Sequence, residues 1–246
     1  MSFITAVERF LSLSDSTGFV VFSSTAPIGA SFGSEADREI DRLVDFFAEL
    51  SETFNVLMPT FPRSTLEAVV DLDQEPSTNG LLTERFRLRF PRNRTVSRFF
   101  PFTVSGPDAE RLFSLRPEHA WGEGSLYSYV ESHDLAIVTI GLPSYVCSVQ
   151  HRAEYLNRDI LPYRSQVCRA SEVAVRGATE IVHENLLARK EGVNVDFRPI
   201  SPMLEAAGQI KSVVAGIVLS SISAKKKIDL VSKSLRENPE IFVSKN

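Results

Sequence analysis

The sequence predicts an α/β fold, and three observations carry that prediction. Residues 18–22 and 55–58 are short apolar runs of strand length, and an amphipathic helical stretch lies between them. Strand, helix and strand in that order predict a parallel unit with a right-handed crossover. Farther along, residues 134–141 (DLAIVTIG) form the clearest buried strand of the chain and lead past Pro143 into a second helical stretch. Of 246 residues, 43% are apolar, enough to bury a sizeable core without staples. With no internal repeat and no break in composition, residues 1–246 read as a single domain.

The elements follow in order. Phe3, Ala6, Val7, Phe10 and Leu11 recur at helical spacing, so residues 3–13 open the chain as a helix ahead of the first strand. Residues 23–34 read as a loop. Behind acidic Glu35 and Asp37, the apolar residues Ile40, Leu43, Val44, Phe46, Phe47 and Leu50 recur at three and four and define the strongest helix. The strand at 55–58 stops at Pro59. Residues 71–80 (DLDQEPSTNG) are a polar loop, and Pro91 begins an irregular stretch that runs to about Asp108. Long loops in a compact chain often carry function. Residues 146–156 follow the 134–141 strand as a helix, and this strand, turn and helix is where chemistry is expected. Beyond it, residues 178–189 alternate weakly, 208–222 fit helix and strand equally, and 223–237 read as a helix stopped by Asn238-Pro239.

Charge and cysteine usage exclude several classes. The net charge is −4 and the charged residues are interspersed, so no basic field exists to hold a phosphate backbone and no nucleic-acid partner is expected. The one basic run, Lys225-Lys226-Lys227, reads as a solvated helix face. Cys147 and Cys168 are the only two cysteines and have no CxxC spacing, which fits a reducing compartment rather than a disulfide framework. The first residues carry Glu8 and Arg9 inside the apolar pattern and lack a basic leader. No apolar run approaches the length of a membrane span. A cytoplasmic monomer or homodimer is the expectation.

Chemistry concentrates at residues 148–154. His151 and Glu154 stand three apart on the expected helix, about 60° apart around its axis, where a carboxylate can orient an imidazole. Ser148 lies three residues before His151 and can donate to an oxygen that gains charge. By themselves these residues fit a solvated helix face better than an active site. His119, His133 and His183 have no metal-ligand spacing, so no metal is expected. No GxGxxG loop is present. Trp121 and Tyr127, near Gly122 and Gly124, belong either to a core or to a pocket wall.

Five segments in one order add to this reading: FSSTAPIG from Phe22, LMPTF from Leu57, SRFFPF from Ser97, WGEGS from Trp121 and SVQHRAEY from Ser148. Together they resemble the aminoglycoside 3-N-acetyltransferase family, and the likeness spans most of the chain from about Phe22 onward. The family's FGxxSP element stands here as WGEGSL with Ser125 in the serine place, and its T-x-x-H-x-x-E element as Ser148, His151 and Glu154. The resemblance implies a three-layer α/β/α sandwich with acetyl-CoA as co-substrate. It implies His151 as the base that deprotonates the attacking amine, with Glu154 holding it and Ser148 assisting at the thioester oxygen. Ser23, Ser24, Thr60, Arg98 and Ser125 are carried over as residues that would line the cofactor pocket. Two family histidines are replaced, by Phe22 and Phe100. Relatives without a histidine at the Phe100 place resemble the branch associated with amino-sugar modification in surface polysaccharide synthesis. The expected acceptor is therefore the amine of an amino sugar or nucleotide-linked amino sugar, with an aminoglycoside as the alternative. A serine hydrolase and a binding protein without turnover are the competing readings.

Overall fold

The computed structural model describes residues 1–63 and 69–244. In chain order its elements are α1 (Phe3–Leu11), β1 (Gly18–Ser23), α2 (Ala26–Phe32), α3 (Ala36–Leu50), β2 (Asn55–Pro59), β3 (Val69–Asp71) and α4 (Leu81–Arg89). Then come β4 (Phe102–Ser105), α5 (Ala109–Phe113), α6 (Leu126–Ser132), β5 (Ala136–Ile140), α7 (Gln150–Leu156), β6 (Arg164–Val175) and β7 (Ala178–Arg189). The chain closes with β8 (Asn194–Val195), α8 (Ser201–Ala206), β9 (Ile210–Val214), β10 (Ile217–Ser223), α9 (Ala224–Glu237) and β11 (Val243–Ser244).

The central sheet has the order β4-β2-β1-β5-β10-β9. Its middle is parallel, with β1 between β2 and β5, and its edges are antiparallel, β4 against β2 and the β9/β10 hairpin against β5. Successive side chains of β1 leave opposite faces of the sheet. Phe19 and Val21 join one apolar cluster, which includes Val7 and Phe10 of α1, Leu43 and Phe47 of α3 and Phe86 of α4. Val20 and Phe22 join another, with Tyr127 and Val130 of α6, Ala153 of α7 and Ile228, Val231 and Leu235 of α9. Helices therefore cover both faces, and the fold is a three-layer α/β/α sandwich. Both faces of β1 and β5 are buried along their whole length, which is why these strands read in the sequence as unbroken apolar runs. A second sheet, β3-β6-β7, stands beside the sandwich, and β8 pairs with β11.

The parallel β1 to β2 unit and the helices at 3–11 and 36–50 match the sequence expectation. Several segments differ. The expected loop at 23–34 contains α2, begun by Pro27 in its first turn, with Ile28 its one buried residue. The irregular stretch from Pro91 holds β4, four buried residues that pair with β2. The ambiguous stretch 208–222 is a hairpin whose turn residues Ala215 and Gly216 have φ of 49° and 77°, the left-handed pair that matches the twist of two-residue hairpins. The helix expected from residue 146 starts only at Gln150, so Ser148 lies in the loop before α7 and not on its face. Lys227 does not belong to a solvated face: it is fully buried on the inner side of α9.

Among the described residues, no helix is long and apolar enough to cross a membrane.

Candidate active site

β1 is followed toward β2 on one side and neighbours β5 on the other, so the chain's connections diverge at its carboxyl end. That is where ligands bind in open α/β sheets. A cleft of about 640 Å³ opens there. Phe22, Ser23 and Ser24 form its wall from the end of β1, Pro59 from the end of β2, and Cys147, Ser148 and His151 from the segment after β5. The β5 end comes this close because residue 141 is glycine: a Cβ there would stand 2.6 Å from the Ser24 carbonyl, and its φ is +68°.

His151 is on the first turn of α7, and its Nδ1 lies 2.5 Å from Glu154 Oε2. The Glu154 carboxylate is 1% exposed and accepts further hydrogen bonds from the Tyr163 hydroxyl at 3.0 Å and from Arg164 Nε and Nη2 at 3.0 and 2.6 Å. Burial favours its protonation, but the His151 hydrogen bond and the charge of Arg164 outweigh burial and hold it below the ordinary carboxylate range. An ionised carboxylate only accepts, so the bond at Nδ1 needs a proton on that nitrogen. Arg164 Nη2 is also 3.5 Å from Nδ1, but its shorter bond goes to the carboxylate. In the neutral ring the lone pair then sits on Nε2, the tautomer of a general base. Burial, followed by the Glu154 charge, keeps the Tyr163 phenol protonated and so a donor. Trp121 and Phe197 flank the imidazole at ring-centroid distances of 5.3 and 6.0 Å.

Ser148 accepts a hydrogen bond of 2.9 Å from the Tyr127 hydroxyl. Ser23 borders the cleft and is buried, with an Oγ that has no partner among the described residues. Three other expected pocket residues are used elsewhere. Thr60 is fully buried beneath the cleft floor, donating to the Pro101 carbonyl at 3.3 Å. Ser125 caps α6, its Oγ accepting from the Ser128 amide at 3.1 Å. Arg98 is buried, with its amide on Glu184 Oε2 at 2.8 Å. Burial pushes that Glu184 carboxyl up despite the donors around it. The cleft thus gathers His151, Ser148, Ser23 and Ser24 with Glu154 behind, and it does not gather Thr60, Arg98 or Ser125.

Phe22 lines the cleft, and Phe100 packs against Trp121 and Phe61 with centroids 4.9 and 5.4 Å apart. Phe22 thus belongs to the cleft wall, while Phe100 packs against Phe61, which lines it. Tyr163 and Arg164 were invisible to local spacing, because each reaches the site from another element, while Tyr127, which the sequence offered as core or pocket wall, bonds Ser148 from α6.

A model of the aminoglycoside 3-N-acetyltransferase family matches residues 19–236. The chain belongs to that family. As a member of it, the protein is an acetyl-CoA-dependent N-acetyltransferase. Solved structures of aminoglycoside 3-N-acetyltransferases share its fold. AAC-IIIb in a binary complex with CoASH has a TM-score of 0.77 at 15% identity, covering 100% of this chain and 99% of its own. AAC(3)-IVa, as a mutant in complex with a gentamicin, has a TM-score of 0.76 at 19% identity, with coverage of 98% and 90%. The YokD protein from Bacillus subtilis is likewise similar, with a TM-score of 0.74 at 20% identity and coverage of 97% and 93%. No curated protein sequence matches the chain significantly.

Proposed function

We propose that the protein moves the acetyl group of acetyl-CoA onto the amine of an amino sugar or nucleotide-linked amino sugar, with His151 as the base. The observation that carries this reading is the His151–Glu154 pair at the cleft, whose hydrogen bond leaves Nε2 to accept a proton. Nε2 removes a proton from the substrate amine as its nitrogen bonds to the thioester carbon. The carbonyl oxygen gains negative charge, and the Ser148 hydroxyl donates to it. The tetrahedral species then collapses, the C–S bond breaks, and the CoA thiolate leaves and takes up a proton. A neutral amine is already a good nucleophile, so no covalent enzyme intermediate is required, and the protein contributes position and fixed dipoles. Ser23 and Ser24 would meet the thioester end of acetyl-CoA, Ser23 through its unpartnered hydroxyl.

The wall of the cleft supports an acceptor that is not a polycation. Among the described residues it carries no Asp or Glu, and Phe22 and Phe61 give it aromatic faces. A polycation gains most from carboxylates. An aminoglycoside acceptor is the second reading, favoured by the gentamicin complex of AAC(3)-IVa on the same fold.

The experiment is thiol release from acetyl-CoA with amino-sugar nucleotides, free amino sugars and aminoglycosides, against an amine-free control. Amine-dependent release that disappears in His151→Ala is the expected result, and the amine that works names the acceptor class. Undiminished release in His151→Ala would remove His151 as the base.

A further inference from the structure

We infer that Tyr127 is a positioning residue for acetyl transfer: its hydroxyl occupies a lone pair of Ser148 and so turns the serine proton toward the thioester oxygen. The inference rests on the reading of Ser148 as the donor to that oxygen. A serine hydroxyl has one proton and two acceptor sites, so which way the proton points decides whether the residue stabilises an oxyanion or repels it. The Tyr127 O–H donates to Ser148 Oγ at 2.9 Å. Tyr127 is 2% exposed, and burial pushes its ionisation far up, so the phenol keeps its proton. With a lone pair of Oγ committed to Tyr127, the serine proton must be given to a different group. Among the described residues Ser148 Oγ has no acceptor of its own, and the open side of Ser148 is the cleft that also holds His151. The serine then acts as a donor into the cleft before substrate arrives.

The phenol itself is held firmly. Tyr127 lies in the first turn of α6, whose start is fixed by the Ser125 cap. Its ring meets Phe102 edge-on at 5.7 Å and Trp121 at 6.5 Å. Accepting a hydrogen bond also polarises a hydroxyl and makes it a stronger donor. Tyr127 touches neither substrate nor reacting atoms in this scheme and acts only through Ser148.

Tyr127→Phe keeps the ring and removes only the hydroxyl, so it tests the proposal with little disturbance of packing. In steady-state acetyl transfer we expect kcat to fall by about tenfold, a fraction of what losing an oxyanion donor itself costs, with the KM for acetyl-CoA unchanged. The same substitution in a Ser148→Ala background should cost nothing more, because its effect passes through the serine hydroxyl. A full kcat in Tyr127→Phe, a loss confined to KM, or an equal loss in both backgrounds would each overturn the inference. Failure of the underlying reading has a different signature: the wild-type protein would then transfer no acetyl group to any amine, or Ser148→Ala alone would turn over normally.

Discussion

A carboxylate that is 1% exposed and accepts from His151, Tyr163 and Arg164 Nε and Nη2 has no lone pair to spare for water. Removing its charge therefore strands a buried guanidinium as well as an imidazole. Glu154→Gln should lower stability by about 3 kcal/mol, the cost of leaving one partner of a buried pair uncompensated, and should reduce kcat through loss of the Nδ1–H tautomer. Chemical denaturation and turnover on one sample separate the two effects, and unchanged stability would contradict the coupling. Because the Glu154 pKa is held below its ordinary value, its contribution is full above about 4.5 and is lost as pH falls through the lower folded value. His119 acts in a different window. Burial, helped by Arg158, pushes its pKa from 6.5 down to about 4, while its Nδ1 accepts from the Trp121 amide at 3.2 Å. The unfolded chain takes up this proton first, so stability should fall as pH drops from 6.5 to about 4 and level off below. His119→Asn should flatten the melting-temperature profile in that range; an unaltered slope would place the titration elsewhere.

At the scale of elements, the loop between β5 and α7 presents Cys147 and Ser148 to the cleft, and α9 holds that loop from behind. Lys227 Nζ donates to the Ser144 carbonyl at 2.5 Å and to Cys147 Sγ at 2.9 Å. Gln150 adds a bond to the Tyr145 carbonyl at 3.0 Å. The buried ammonium makes no ion pair among the described residues, so its desolvation is costly and its retention is not explained by stability. Lys227→Met, which keeps most of the shape, should leave stability within about 1 kcal/mol while loosening the loop and lowering kcat. A stable variant with full turnover would show that the loop holds its course without the strut. The burial of Lys227 was legible in one respect: Ala224, Lys227, Ile228, Val231 and Leu235 recur at three and four, which puts one lysine of the run on the inward stripe. Composition suggested a solvated face because it counts charges without placing them around the axis. Other elements left weaker traces. α2 buries only Ile28 and has no apolar stripe, and β6 alternates incompletely because much of it faces solvent.

For the whole molecule, legibility tracked burial. β1, β2 and β5 are enclosed by helices on both faces, so their sequences are mostly apolar and their order pointed to the parallel core. β4 against β2 and β10 against β5 take their partners from distant segments, which local pattern does not record. The same division holds at the site. His151 and Glu154 are one helical turn apart and could be read together, while Tyr163 and Arg164 join from beyond the end of α7. The architecture places the cleft where three strands of the sheet end, so a ligand bound there ties β1, β2 and the β5–α7 loop together and stabilises the folded state as a unit. At a hundred times its dissociation constant, acetyl-CoA should add about 2.7 kcal/mol, which for a chain of this size is a rise of roughly 5–10 °C in Tm. Ser23→Val should abolish most of that rise while leaving the unliganded Tm close to wild type, since the Ser23 hydroxyl has no partner among the described residues to lose. A full ligand shift in Ser23→Val would place acetyl-CoA away from the end of β1, and a large drop in the unliganded Tm would show that the hydroxyl serves the fold instead.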